Sequence, residues 1–327
     1  MTSGSQPMAA SRASVRLELI QLSSILIRHA VAAIADLRKD IIKFGWLFIR
    51  NEDIMIKNAS YVLVSQFIAA FDTPAKIILQ AYSSLLKAHQ VESRFLVRQA
   101  LDILLPVLPV RLAQSSADTA SAGAPALPTW VLLAKRILID NSASLAHTTH
   151  VYQLIAAHPA IFFPFRMQFA SNLVGILQKM CLTHSATSET RTLALDIMDL
   201  FLAWQDMLEN GSHSPAATQA PDAGSPANES NGESTMLLPE SRRETIVGLL
   251  LRMLCLVFDF ALKSNLGPRA LELLRRYLDA SKWPPMHLRL TFFERSLQQI
   301  EAQDMNQQLV QHILTVLATV TSQMQSV

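Results

Sequence analysis

The stretch that decides the fold is residues 54–87, IMIKNASYVLVSQFIAAFDTPAKIILQAYSSLLK. In its first half, large apolar residues recur at the spacing that places side chains on one face of an α-helix: Ile54, Tyr61, Val64, Ile68 and Phe71. Thr73-Pro74 then divides the stretch, because threonine is a good N-cap and proline suits the first helical position. The sequence therefore predicts two consecutive helices joined by a short turn.

The same helical spacing covers most of the chain. Val15, Leu19, Leu22 and Leu26 share one face of a predicted first helix. Further helical patterns occupy 93–105, 130–139, 145–157, 162–181, 186–208, 242–263, 268–280, 286–301 and 305–324. No convincing strand alternation interrupts them. Two such helices per unit give a period of about 40 residues, the size of HEAT and armadillo repeats. We predict an all-α, HEAT/armadillo-like solenoid of antiparallel helix pairs, with a compact bundle as the competing layout.

Segments of different composition predict the domain organisation. Residues 1–14 are small and polar, and we expect a disordered N-terminus there. Residues 15–209 form a helical repeat segment that contains a small-residue loop at 113–128. The stretch 210–239 has no Lys or Arg and almost no large apolar residues, which is typical of a disordered linker. Residues 240–327 continue the solenoid.

Composition excludes several classes of function. Half of the residues are hydrophobic, and 28 basic residues against 26 acidic ones leave a net charge of only +2. With such a balance, the protein has no strong positive electrostatic field that would attract nucleic acid or an anionic membrane. Cys181 and Cys255 provide neither a disulfide framework nor metal-ligand spacing, which favours a reducing compartment. The most apolar run, 246–262, contains Arg252 and Asp259 and is therefore predicted to be a buried helix rather than a membrane span.

Motifs for nucleophilic, metal or phosphate chemistry are missing from the sequence. The best metal candidate is His147 with His150 and His158, but no acidic or cysteine ligand stands nearby, and surface or turn histidines are the expected reading. The acidic pairs Asp36/Asp40 and Asp196/Asp199 are predicted to lie on solvated helix faces. We expect no catalytic, cofactor-binding or metal-binding residues, and no small-molecule substrate.

Basic and aromatic residues offer a second kind of surface. Basic side chains recur at Lys135-Arg136, Arg242-Arg243, Arg275-Arg276 and at Arg94 and Arg98, one helical turn apart. They suit either ordinary solvated faces or a basic rim beside an apolar groove for acidic amphipathic segments. The four tryptophans, Trp46, Trp130, Trp204 and Trp283, are predicted to be packing anchors between helices.

Several fragments of the chain resemble one known family in the same order. They include Lys43–Trp46, 61–63, 67–69, 73–77, 85–90, 97–103, 150–155, His158-Pro159 and Trp283-Pro284. Together they are similar to the transformation/transcription domain-associated protein (TRRAP) family, which includes a fungal counterpart. The resemblance runs over about residues 16–300 and is most specific at 16–111. Leu47 and the two loops depart from the family's pattern.

The resemblance implies a role that composition does not show. The family is related to phosphatidylinositol-3-kinase-like kinases but has a pseudokinase domain, and it serves as a scaffold in SAGA and a MYST-type histone acetyltransferase complex. The chain would be an internal HEAT segment of a nuclear, non-enzymatic coactivator, binding complex subunits and acidic activators in transcription and DNA repair. The alternatives are another HEAT scaffold, such as a nuclear transport receptor, or the solenoid of an active related kinase.

Overall fold

The computed structural model describes residues 5–113, 127–183, 185–212, 237–256, 266–284, 286 and 307–325. In these ranges the regular structure is entirely helical, which confirms the predicted all-α, HEAT-type class. The chain divides into two compact units, residues 1–155 and 156–327, and each is described by itself. The predicted loop 113–128 and linker 210–239 lie mostly outside the described residues.

The first unit contains α1 (Ser5–His29), α2 (Arg38–Ile49), α3 (Ile54–Ala70), α4 (Ala75–Lys87), α5 (Arg94–Leu104), α6 (Leu108–Arg111), α7 (Thr129–Asp140) and α8 (Leu145–Ala157). Short 3-10 helices occupy Val31–Leu37, Val91–Ser93 and Leu105–Val107. The last two residues of α8 lie beyond the unit boundary. Most of these helices match the predicted segments to within one or two residues.

Helix α3 is the centre of the first unit. It packs against α1, α2, α4 and α5, while α4 also contacts α7. One core cluster joins the first three helices and consists of Ile20, Ile27, Ile34, Phe48, Ile56, Ala59, Leu63, Phe67 and Phe71. A helix that is apolar on nearly every side must be surrounded, and residues 54–71 are the most continuously apolar stretch of this unit. The stretch that predicts the first helix pair therefore also organises the stack.

The ends of α3 differ from the prediction in one detail. Asp53 caps its beginning, because its carboxylate accepts from the Met55 and Ile56 amides at 2.9 and 3.2 Å. Thr73 does not cap the next helix. Its hydroxyl donates to the Phe71 carbonyl at 3.1 Å, and Pro74 occupies the N-cap position of α4 without a side-chain hydrogen bond.

The first helix corrects one expectation and adds a detail to another. It begins at Ser5, so the structure places residues 5–14 in a helix where the sequence predicted disorder. Three alanines among these residues have high helix propensity, and an adjoining helix can extend into them without a new nucleation step. The predicted apolar line Val15–Leu26 does share one face, but that face is exposed. A second line, Ile20 and Ile27, is the one buried against α3.

Gly45 explains part of the Lys43–Trp46 motif. A β-carbon at this position would lie 3.0 Å from the Val64 side chain and 3.3 Å from that of Leu63. A larger residue would therefore require the Val64 and Leu63 side chains to shift by a few tenths of an ångström. The glycine allows α2 to pack closely on α3, and its neighbour Trp46 is only half-buried.

The second unit contains α9 (Pro159–Phe162), α10 (Arg166–Leu182), α11 (Ser188–Ser212), α12 (Glu240–Leu256), α13 (Leu266–Leu278) and α14 (Gln307–Gln325), with a 3-10 turn at Phe163–Phe165. Helix α10 packs against α11 and α12, α11 packs against α13, and α13 packs against α12 and α14. Neighbours in sequence thus pair, and alternate helices stack beside one another. The predicted helix 286–301 lies almost wholly outside the described residues.

Tryptophans fix the second unit, as predicted. Trp204 is fully buried and its indole N–H donates to the Pro159 carbonyl at 2.9 Å. Trp283 is also buried and stacks with Tyr277. Arg243, for which the sequence allows a solvated face or a basic rim, is instead 2% exposed. It lies over the Trp283 ring and donates to the Pro284 carbonyl. Its long stem fills the core while its charge is held by the ring and the carbonyl.

One stretch, Pro159–Leu182, is long and apolar enough by composition to cross a membrane. It is divided at the Phe163–Phe165 turn, and Phe169, Leu173 and Leu177 are fully buried within the unit.

An ion-pair ladder joins α11 to α13 and the turn after it. Asp196 contacts Arg269 at 2.7 Å, Asp199 contacts Arg276 at 2.6 Å, and Asp206 contacts Lys282 at 2.8 Å. Asp196 and Asp199 are therefore cross-helix partners rather than merely solvated acids. Because each successive acid of α11 meets a base further along α13 or in the turn after it, the two helices run in the same direction.

Replacing Asp199 with asparagine should test this ladder. Asp199 also contacts Arg269 at 3.8 Å, so its loss affects two arginines. Half-exposed pairs are worth little singly, and we expect a loss of about 0.5–1 kcal/mol in unfolding free energy that shrinks in 1 M NaCl. Chemical denaturation at low and high salt measures it. Glu272→Gln, which affects only the Arg275 pair within α13, is the control; an equal effect would contradict a ladder between helices.

Candidate docking groove in the first unit

One concave feature of the first unit is a groove between α1 and α5, with α3 as its floor. It consists of two adjoining cavities of about 880 and 340 Å³, which share Arg28, Gln66 and Gln99. The larger one is lined by Ile27, Val31, Ala69, Ala70, Phe95, Arg98, Asp102 and Ile103 among others. The smaller one is lined mainly by α1 and the first half of α3.

The lining residues give the direction of the helices. Leu17 and Ile20 of α1 line the smaller cavity with Met55 and Ala59 of α3. Ile27 and Val31 line the larger cavity with residues 69–70. Residues early in α1 thus lie near residues early in α3, and residues late in α1 lie near residues late in α3. The two helices are therefore parallel. Near the beginning of α3, the Asn58 side chain donates to Ser93, the residue just before α5, at 2.9 Å. Near the end of α3, residues 69–70 line the same cavity as residues 102–103 of α5. Helix α5 therefore runs in the same direction too.

The floor of the groove follows a single face of α3. Its lining residues recur at intervals of three and four: Met55, Ala59, Val62, Gln66, Ala69 and Ala70. At 1.5 Å per residue this face is about 22 Å long, which corresponds to four turns of a helix. Small side chains on the floor leave a recess between the taller walls. Such a channel has the shape that accepts an amphipathic helix.

The walls carry apolar and basic groups. Phe95 on α5 is 79% exposed, which is unusual for a phenylalanine, and Val31 is also exposed. Arg28 and Arg98 line the larger cavity together with one acid, Asp102. Arg98 and Asp102 form an exposed pair at 3.8 Å on successive turns. The groove thus combines an apolar floor with a basic excess at its rim.

Gln66 marks the junction of the two cavities. Its Oε1 atom is buried from solvent and accepts no hydrogen bond. Buried polar atoms are nearly always satisfied in folded proteins. Gln66 is therefore the polar member of an otherwise apolar floor, with its oxygen turned away from solvent.

The histidines that the sequence predicts at surface or turn positions are only partly there. His150 is buried instead of lying on the surface, and its Nε2 donates to the Leu86 carbonyl at 2.9 Å. His147 packs against His89 with ring centroids 3.9 Å apart. Within the described ranges, no group of three or more His, Cys, Asp or Glu residues could hold a metal ion. These histidines tie α8 to α4.

The basic groups divide between packing and the groove. Arg243 is buried, Arg276 belongs to the ion-pair ladder, and Arg136 contacts Asp140 on an exposed face at 3.3 Å. Only Arg98, of the basic positions singled out in sequence, lines the groove. Phe95, Arg28 and Gln66 were not foreseen. The sequence feature that could have revealed Phe95 is its position between Arg94 and Arg98, which makes it an aromatic residue on a basic helical turn.

Comparison with known proteins agrees with this architecture. The family model described as "Tra1 HEAT repeat ring region" matches residues 1–327. The SAGA complex/NuA4 acetyltransferase complex subunit TRA1 of Saccharomyces cerevisiae is 33% identical over 298 residues, which cover 86% of this chain and 8% of that protein.

Relatives from other lineages match the same chain. The Probable transcription-associated protein 1 of Dictyostelium discoideum is 39% identical over 191 residues, or 58% of this chain and 4% of its own length. The human Transformation/transcription domain-associated protein is 26% identical over 342 residues, or 88% of this chain and 9% of its own. The chain thus spans less than a tenth of these relatives' lengths. With its helix-pair architecture and a match over all 327 residues, the chain belongs to the Tra1 family and corresponds to its HEAT-repeat ring region.

Proposed function

We propose that this chain is a non-catalytic scaffold segment of a nuclear transcription coactivator, a subunit of SAGA-like and MYST-type histone acetyltransferase complexes. It binds complex subunits and acidic activators, and so brings acetylation to promoters and to sites of DNA repair. Family membership supports the scaffold role, since the yeast relative is named as a subunit of the SAGA complex and of the NuA4 acetyltransferase complex. We propose no direct sequence-specific binding of nucleic acid, and no membrane, cofactor or small-molecule substrate.

The observation that carries the recruiting role is the groove of the first unit. Its floor is a four-turn apolar face of α3, and its rim bears Arg28 and Arg98. An acidic amphipathic helix fits both features: its apolar stripe covers the floor while its carboxylates face the arginines. Charge complementarity of this kind accelerates encounter and sets the orientation, while the buried apolar contacts give most of the affinity.

The mechanism is positioning. A scaffold held in a complex places that complex's catalytic subunit near whatever the groove binds. Each added contact raises the effective concentration of the acetyltransferase beside the activator, even when the single contact is weak. The chain itself performs no covalent step.

Binding of a designed peptide tests the groove. The probe is a fluorescein-labelled amphipathic peptide of about 16 residues, the length of the groove floor, with leucines at three- and four-residue spacing and glutamates beside them. Fluorescence anisotropy with the 327-residue chain should reveal binding. Arg98→Glu should weaken it about tenfold, which is about 1.4 kcal/mol, because the reversed charge repels the glutamates.

The matched control is Arg136→Glu. Arg136 pairs with Asp140 one turn away, as Arg98 pairs with Asp102, but it does not line the groove. It should leave the affinity unchanged, and a peptide with lysine in place of glutamate should bind weakly. Equal effects of Arg98→Glu and Arg136→Glu, or equal binding of the two peptides, would show that the groove does not select acidic helices.

A further inference from the structure

Helices α2 and α4 carry basic residues on the side that faces away from α3. On α2 these are Lys39, Lys43 and Arg50, the residue just after the helix, and on α4 they are Lys76 and Lys87. All five are exposed, and within the described part of the chain none of them pairs with an acid. We call these five residues the basic ridge.

The basic ridge lies opposite to the packed side of both helices. Gly45 of α2 meets the side chains of α3, and at about 100° per residue the three basic residues of α2 lie about 120–160° around the helix from it. Ile78 of α4 is fully buried, and Lys76 and Lys87 lie about 160–180° around that helix from it. The five cations therefore point away from the core of the unit.

The pattern of the ridge repeats after 37 residues, which separate both Lys39 from Lys76 and Arg50 from Lys87. That interval is close to the HEAT period of about 40 residues. The beginning of α2 lies beside the end of α3, because Gly45 meets Leu63 and Val64, and α4 also begins there. The two helices thus run in the same direction at the same level, each with a cation at both ends of its outer face.

The ridge forms a surface separate from the groove. Helices α1 and α5 flank α3 around the groove, while α2 and α4 pack on the remaining side of α3. Each line of cations spans 11 residues, which is about 16 Å of helix. Neighbouring helices of such a stack lie about 10 Å apart, so the ridge consists of two parallel rows of positive charge.

The local charge of the ridge exceeds that of the whole chain. Residues 38–50 contain four basic residues and one acid, Asp40, and residues 75–87 contain two basic residues and no acid. These two segments therefore carry a net charge of +5, whereas the complete chain carries +2. A positive field is concentrated here even though the overall composition is balanced.

We propose that the basic ridge binds the phosphate backbone of double-stranded DNA without regard to base sequence. The proposal goes beyond the proposed function, in which every partner is a protein.

The geometry of duplex DNA matches the two rows. Its strands present phosphates about every 3.4 Å along the axis, on either side of grooves about 6–12 Å wide. Lysine side chains provide mobile point charges that suit phosphate oxygens. Between the lysines of α4, on the same face, lie Gln80 and Ser83, whose side chains are of the types that donate to the DNA backbone.

The composition of the ridge favours DNA over an acidic amphipathic helix, which needs apolar contacts as well as charge. Leu47, 68% exposed, is the one large apolar side chain of α2 that is exposed, and α4 has none. Neither cavity of the groove is lined by a residue of the ridge. A phosphate backbone needs only the cations and donors that the ridge provides.

Fluorescence anisotropy of a fluorescein-labelled duplex of about 20 base pairs, titrated with the 327-residue chain, tests the proposal. Contact of five cations with phosphates should weaken binding about 500-fold between about 50 and 200 mM salt, because the released counterions oppose binding as salt rises. Two duplexes of unrelated sequence should bind equally. No binding at the lower salt, or a clear preference for one sequence, would overturn the proposal.

The triple variant Lys39→Gln/Lys76→Gln/Lys87→Gln assigns the binding to the ridge. With two of the five cations left, the same rise in salt should weaken binding only about 12-fold. Circular dichroism verifies that its helix content is native. A variant that keeps the native salt dependence would overturn the proposal. Peptide binding to the groove should be unchanged in this variant, so failure of the ridge and failure of the groove are distinguishable.

The matched control is Arg12→Gln/Lys179→Gln/Arg275→Gln, which removes the same charge at exposed positions outside the ridge. It should keep the native salt dependence, and a loss equal to that of the ridge variant would make the effect one of net charge. Unlabelled polyglutamate, at the same concentration of charge as unlabelled duplex, should displace the labelled duplex less well. Equal displacement would overturn the assignment to DNA in favour of an acidic polypeptide.

Discussion

Replacing Phe67 with alanine is expected to lower the stability of the first unit by about 3–5 kcal/mol, the cost of truncating a buried phenylalanine. Phe67 is 5% exposed and belongs to the cluster that joins α1, α2 and α3. Its ring lies 4.8 Å from that of Phe71. The truncated side chain would leave a cavity at the point where Ile20 and Ile27 hold α1 on the stack.

Hydrogen exchange is the appropriate measurement, since a chain with two units need not unfold in one step. The free energy of opening for amides of α3 should fall in Phe67→Ala, while amides of the second unit keep theirs. Peptide binding should fall as well, because α1 forms one wall of the groove.

Phe95→Ala is the matched control, with the same substitution one helix further along the stack. Phe95 is mostly exposed and lines the groove. Its loss should change stability by less than about 0.5 kcal/mol but should weaken peptide binding. Equal destabilisation by the two substitutions would contradict the assignment of one phenylalanine to the core and the other to the docking surface.

The second large effect is a loss of stability in acid that originates at His150. Burial is the main cause that lowers the pKa of His150, its hydrogen bond to the Leu86 carbonyl opposes that effect, and the charges of His89, Arg94 and His147 add to it, so that the pKa is about 4. In the unfolded chain its pKa is about 6.5. The folded state therefore binds fewer protons, and the stabilising contribution is complete above about pH 6.5 and is lost as the pH falls toward 4.

Between pH 7 and pH 5 this one group should reduce the unfolding free energy by about 2 kcal/mol. His150→Gln retains an N–H donor for the Leu86 carbonyl but removes the titration. Urea unfolding at both pH values should therefore give a smaller difference for the variant than for the native chain. His29→Gln, at an exposed histidine, should preserve the native difference. A native-sized difference in His150→Gln would assign the acid sensitivity to other groups.

The fold could be predicted because it depends on local signals. The apolar period of residues 54–71, the Thr73-Pro74 break and the prolines after Leu105 are short-range features, and they placed the helices to within a few residues. Burial of Trp130, Trp204 and Trp283 also followed from residue type alone.

The site was harder to predict because it depends on which face of a helix is covered. Helix α1 has two apolar lines, and the sequence gives no means to decide that Ile20 and Ile27 face the core while Leu19 and Leu22 do not. The same limit applies to Arg243, whose neighbour Arg242 is an identical residue on another face. The sequence shows Arg98 as one of a basic pair with Arg94. The groove that Arg98 lines exists only because α1 and α5 flank α3, which the sequence does not show.

The most direct test of the scaffold role is native purification with an antibody raised against residues 15–111, followed by mass spectrometry and an immunoblot for size. The expected result is a polypeptide much longer than 327 residues, together with histone acetyltransferase subunits and acetyltransferase activity in the purified material. Recovery of this chain without any acetyltransferase subunit, or with nuclear transport factors in their place, would contradict the proposed role.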